Sequence, residues 1–103
     1  MFNINENQLN TIRSLCREYG VIRLEIFGSA TRNDFEPQRS DIDLLVEFAE
    51  TADLGPWMAH FFSLRQKLSA IFGRTVDLSM ASSIRNPYLL QTVNRERQAL
   101  YVA

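Results

Sequence analysis

Cysteine and histidine are nearly missing from this chain: its 103 residues hold one cysteine, Cys16, and one histidine, His60. A single cysteine forms no intramolecular disulfide, and a reducing cytoplasm is the expected home. One histidine with one distant cysteine is too few ligands for a zinc site. Long apolar runs are also absent, so no segment has the roughly 20 residues that a membrane-crossing helix needs. The opening MFNINENQLN is polar and lacks a positively charged start, unlike a secretory signal. Neither charge sign dominates: 11 Lys and Arg face 12 Asp and Glu, a net charge of −1. Such a balance gives no global pull toward nucleic acid.

The remainder is that of an ordinary globular chain, 46% hydrophobic and 22% charged, which excludes disorder. The length fits one domain spanning 1–103, without repeats or long linkers. Leu9, Ile12, Leu15, Cys16 and Tyr19 recur at spacings of three and four, which predicts an amphipathic helix over 7–19 closed by Gly20. Ile22, Leu24 and Ile26 alternate with Arg23 and Glu25, which predicts a strand over 21–27. Residues 30–40 read as a short helical turn and a loop. A second strand follows over 41–48, with Ile42, Leu44, Val46 and Phe48 on one face and Asp41, Asp43, Leu45 and Glu47 on the other.

Pro56 suits the first position of a helix, and Trp57, Phe61, Leu64, Leu68, Ile71 and Phe72 follow at helical spacing up to Gly73. A third strand over 74–80 sets Val76 and Leu78 opposite Asp77. Asn86 and Pro87 predict the start of a last helix, and 100–102 reads as a short strand or a helical end. The order predicts an α/β (α+β) fold in which helices pack on a small mixed sheet.

The chemistry concentrates in Gly28-Ser29, an eleven-residue interval, and then Asp41-Ile42-Asp43. Alternation puts Asp41 and Asp43 on one strand face, about 7 Å apart along the backbone. Like charges held so close repel, and a divalent cation relieves that cost; Mg²⁺ favours carboxylates together with substrate phosphates. If the second and third strands are neighbours, Asp77 joins the pair, and three carboxylates suffice for a two-metal site. Gly28 has no side chain to block a phosphate. Ser29 would open a short helix whose free N–H groups suit an anion, and Arg32 lies one turn further on.

Gly28-Ser29, Arg32 and Ser40-Asp41-Ile42-Asp43-Leu44-Leu45-Val46 resemble the signature of the minimal nucleotidyltransferases of the polymerase-β-like superfamily. Within that superfamily they are most similar to the MntA-type antitoxins of HEPN/MNT toxin–antitoxin pairs. The resemblance spans roughly residues 8–101 and implies the nucleotidyltransferase core fold. It implies that Asp41, Asp43 and Asp77 bind Mg²⁺, with Asp77 also helping to activate the attacking hydroxyl. Gly28, Ser29, Arg32 and Ser40 would hold the nucleotide. The reaction it implies is AMP transfer from ATP to a tyrosine hydroxyl of a partner HEPN-type RNase toxin, which silences the toxin. Larger relatives add a helical substrate-binding domain, for which this chain has no room. One position departs from the pattern: Asn33 stands where such antitoxins often have glycine, and asparagine tolerates a left-handed backbone better than most residues.

Two other functions compete with this enzyme. One is a non-catalytic antitoxin that neutralises its partner by complex formation. The other is nucleotide transfer to RNA or a small molecule, which the near-neutral charge disfavours. Elsewhere the bland readings prevail. Cys16 is expected in the core, His60 at the surface or half-buried, and one of the adjacent Phe61 and Phe62 outside the core stripe. Glu47 is expected to be structural, and Arg85, Arg95 and Arg97 to form a solvated basic face or a contact for phosphate or an acidic partner.

Overall fold

The structure is a computed structural model that describes residues 4–28, 41–80 and 98–103, with Trp57 through its backbone only. The turn and loop expected over 30–40 and the helix expected from Asn86 lie outside these residues. So do Ser29, Arg32, Ser40, Arg85, Arg95 and Arg97.

Helix α1 runs Glu6–Tyr19. Its start is set by a capping box: the Asn5 side chain accepts from the Gln8 N–H at 2.8 Å while the Gln8 side chain accepts from the Asn5 N–H at 3.1 Å. Its end is the predicted Gly20. Strands β1 (Val21–Phe27) and β2 (Ile42–Phe48) are antiparallel, and β3 (Val76–Met80) lies parallel to β2. Strand β4 (Gln98–Val102) pairs antiparallel with β1, which resolves the chain end as a strand. The sheet order is β3-β2-β1-β4, a mixed sheet as the sequence predicts.

Both helices supply the core on one sheet face. Ile12, Leu15, Cys16 and Tyr19 of α1 join Phe61, Leu64, Leu68 and Phe72 of helix α2 (Ala59–Phe72) over Leu24, Ile26, Ile42, Leu44, Val46, Val76 and Leu78. Each fully buried aliphatic side chain here contributes about 1.5–3 kcal/mol. Polar ties join the helices to each other. Gln8 donates to the Ile71 carbonyl at 3.1 Å, and the Tyr19 and Ser63 hydroxyls share a 2.6 Å hydrogen bond. His60, half-buried, stacks on Tyr19 at 4.4 Å and meets the Tyr19 carbonyl at 2.8 Å through Nε2. A carbonyl only accepts, so Nε2 carries the proton and satisfies one of the orphan carbonyls ending α1.

Two local expectations are corrected. The helix predicted from Pro56 is not continuous: Pro56–Met58 is a 3-10 turn, and Met58 takes a left-handed conformation (φ 56°) before α2 begins. That kink changes the chain direction after the Pro56 turn. In β1 the alternation slips at its start: Val21 pairs with Phe48 and Arg23 with Glu47, leaving Ile22 as an extra bulged residue. Val21 is therefore buried and Ile22 is 38% exposed, the reverse of simple alternation. Cys16 in the core, half-buried His60 and exposed Phe62 beside buried Phe61 are as expected. Among the described residues no helix is long and apolar enough to cross a membrane.

Burial pushes the Cys16 thiol up to about 12 from an ordinary 9.0. The native protein should therefore resist a thiol reagent at pH 8 and react only on unfolding, with the rate read by absorbance in and out of urea. Because the pKa is raised, this contribution to stability is complete below pH 9 and is lost as pH climbs from 9 toward 12. Replacing His60 with alanine should lower the urea-unfolding free energy by about 1–2 kcal/mol, through the lost carbonyl partner and ring stack.

Candidate active site

The sheet face opposite the helices carries the acidic residues, because β2 is amphipathic with period two. Ile42, Leu44 and Val46, each at 0% exposure, anchor one face. Asp43, Leu45 and Glu47 must then lie on the other. Strand β3 repeats the pattern, with Val76 and Leu78 buried and Asp77 exposed.

The parallel register brings the carboxylates together. Ile42 pairs with Val76, Asp43 with Asp77 and Leu44 with Leu78. Ile42 N–H also donates to the Thr75 carbonyl at 3.0 Å, which pins β3 where it enters beside β2. Asp43 and Asp77 therefore stand side by side on adjacent strands, with backbones about 4.8 Å apart. The neighbourhood of strands two and three on which the sequence argument depends is present.

On the other side of β2, Phe27 pairs with Asp43, and β1 ends there. Gly28 follows with φ 73°, a conformation that side-chain-bearing residues rarely adopt. A Cβ at this position would sit 2.5 Å from Asp43 Oδ2 and 3.3 Å from its Cγ. The glycine lets backbone pass directly against the Asp43 carboxylate. Sequence spacing suggests Gly28 as a phosphate approach, but it does not reveal this contact with Asp43.

Asp41 is exposed and precedes β2 by one residue. Among the described residues no group of three His, Cys, Asp or Glu side chains is gathered to hold a metal ion. The structure thus joins Asp43 and Asp77 at one point of the sheet, whereas Asp41, predicted inside the strand on the same face, lies one residue before it and is not gathered with them. Two adjacent carboxylates are a hard-oxygen donor set that suits a divalent cation bridging to phosphate.

Sequence reading missed one charged residue on this face. Glu25 is paired with Leu45, one pleat from the Phe27–Asp43 pair, and is only 6% exposed. Its alternation with Leu24 and Ile26 makes it look like a solvated polar position. Cross-strand pairing with β2 would have put it on the acidic face, but that pairing is not a local signal. Glu47, opposite Arg23 at the far end, is exposed and away from Asp43.

The sequence matches the nucleotidyltransferase domain family over residues 9–100. It is 41% identical over 88 residues to a Methanocaldococcus jannaschii protein provisionally named a protein adenylyltransferase, covering 85% of this chain and 83% of that protein. It is 36% identical over 84 residues to the protein adenylyltransferase MntA of Thermococcus cleftensis, covering 82% and 79%. A solved structure of tri-AMPylated Shewanella oneidensis HEPN toxin in complex with MNT antitoxin contains a chain of similar fold. That chain aligns with TM-score 0.65 and 25% identity, over 97% of this chain and 74% of its own length.

Gly28→Ala should be costly on two counts, since the new methyl both meets Asp43 Oδ2 and holds an unfavourable φ. A loss of about 1–3 kcal/mol is expected in urea unfolding. A companion variant, Gly73→Ala, changes a left-handed glycine with nothing within 4 Å, so it reports the backbone cost alone and should lose less.

Proposed function

This chain belongs to the nucleotidyltransferase family, and on that premise we propose that it is an antitoxin enzyme that transfers AMP from ATP to a tyrosine hydroxyl of a partner HEPN-type RNase toxin. The observation that carries the reading is the in-register pair Asp43–Asp77 beside the left-handed Gly28. A protein that only binds a partner has no use for adjacent carboxylates, whose mutual repulsion costs stability.

Asp43 and Asp77 would hold Mg²⁺, as their adjacent carboxylates suit a hard cation, and Asp41 at the entrance of β2 would complete the set. When bound, Mg²⁺ offsets charge on the phosphates and lowers the pKa of the attacking hydroxyl. Gly28, Ser29, Arg32 and Ser40 bind the nucleotide phosphates. Their role is to orient the α-phosphate toward the acceptor, since phosphoryl-transfer catalysis is mostly positioning and charge. The acceptor oxygen forms a bond to the α-phosphorus as the bond to the bridging oxygen breaks. Pyrophosphate leaves, and the hydroxyl proton passes to Asp77. The acceptor enters from a separate protein, and residues 1–103 work as one catalytic domain in the cytoplasm.

The test incubates the purified chain with ATP labelled at the α-phosphate, Mg²⁺ and the candidate toxin. Label should appear on the toxin and vanish in Asp43→Asn and Asp77→Asn, with a rate loss of at least about 100-fold, and on adding EDTA. Label on RNA instead would move the function to nucleic-acid modification. Neutralisation of the toxin by Asp43→Asn as fully as by the wild type, without label, would leave a complex-forming antitoxin.

A further inference from the structure

The outer strand β4 and the neighbouring face of α1 form a second feature, at the opposite edge of the sheet from β3. In the described sheet β4 pairs with β1 on one side only, and such an edge offers unpaired N–H and C=O groups as a template for another strand. Proteins commonly protect such edges with lysine, proline, inward charges or a bulge. Strand β4 reads Gln-Ala-Leu-Tyr-Val and has no lysine, proline or charge, so its protection is limited to one bulge. Val102 is 54% exposed. The irregularity in β4 is a bulge at Leu100, where Tyr101 pairs with Leu24 and Ala99 with Glu25.

Beside this edge is a hollow of about 520 Å³ between Arg13 and Arg17 and residues 99–103. The two arginines are one helical turn apart on the same exposed face of α1. Among the described residues their guanidiniums meet only neutral oxygens in hydrogen bonds. Arg13 Nη1 donates to Asn10 Oδ1 at 3.4 Å, and Arg17 Nε donates to the Arg13 carbonyl at 3.3 Å. Among the described residues no carboxylate answers either positive charge, which leaves both to an incoming one.

We propose that β4 and the Arg13–Arg17 face bind an extended acidic segment of a partner protein. That segment adds a strand to the sheet edge and sets alternate carboxylates against the two guanidiniums. Strand addition supplies backbone hydrogen bonds, and alternate side chains supply selectivity. Charge argues against the other obvious occupant, a second copy of this chain. Pairing β4 with its own twofold mate would bring the arginines flanking each β4 toward one another, and like-charge juxtaposition opposes such an interface. The inference does not depend on the transfer chemistry, because the edge is remote from β3 and the Asp43–Asp77 pair.

The test uses the full chain and a fluorescein-labelled synthetic peptide of alternating valine and glutamate, read by anisotropy. A peptide with lysine in place of each glutamate is the control. The acidic peptide should bind, and the lysine peptide should not. Arg13→Glu with Arg17→Glu should weaken binding at least tenfold. Both residues are exposed, so circular dichroism should show an unchanged fold. Affinity should fall between low salt and 0.15 M salt, where the Debye length is about 8 Å. Hydrogen exchange should slow at the β4 amides on adding peptide. Equal binding of the two peptides, binding unchanged in the double variant, or unprotected β4 amides would each overturn the proposal. So would a wild-type dimer in sedimentation whose β4 amides are already protected without peptide.

Discussion

The parallel pairing of β2 with β3 is the constraint on which the acidic face depends, since Ile42 against Val76 and Leu44 against Leu78 oblige Asp43 to stand beside Asp77. The apolar pairs are buried beneath the helices, so the carboxylates are placed by the core and not by any attraction of their own. A one-residue slip between the strands would send every side chain of one strand to the wrong face and bury a carboxylate under α1 and α2. The energy that places the two carboxylates side by side thus comes from hydrophobic burial on the reverse side of the same strands.

The two helices do the complementary work. They touch the sheet through apolar side chains and each other through polar ties: Gln8 to the Ile71 carbonyl, Tyr19 to Ser63, His60 to the Tyr19 carbonyl. Around this junction Lys67 takes part through Tyr19. Burial raises the Tyr19 phenol, but hydrogen bonds with Lys67 and Ser63 and the ammonium charge outweigh it, and the net direction is down. That junction lies where α1 hands over to β1, at the other end of β1 from Gly28. Support and chemistry are therefore separated along a single strand.

How much of this was legible in the sequence depended on how local each cause is. The existence and order of α1, β1, β2 and β3 follow from periodicity, though β2 begins one residue and β3 two residues after the predicted start, and Gly20 and Gly73 mark the helix ends because a left-handed residue is needed there. Asp43 and its face follow from alternation within one strand. That Asp77 lies next to Asp43 required the strand order, which alternation alone does not determine. Met58 was illegible because a methionine in a left-handed conformation carries no sequence signature. Ile22 and Glu25 were misread for one reason. Their burial is decided by the pairing with β2, through the bulge in one case and the shared face in the other.

The contact between Gly28 and Asp43 carries a consequence for how this domain can change over generations. The two positions compete for one volume: a methyl at 28 would require the carboxylate at 43 to shift. A side chain at 28 is therefore accommodated more easily once the carboxylate at 43 has been replaced by a smaller group. A descendant that has abandoned the carboxylate loses the steric part of this demand on position 28. The left-handed backbone at position 28 would still favour glycine there.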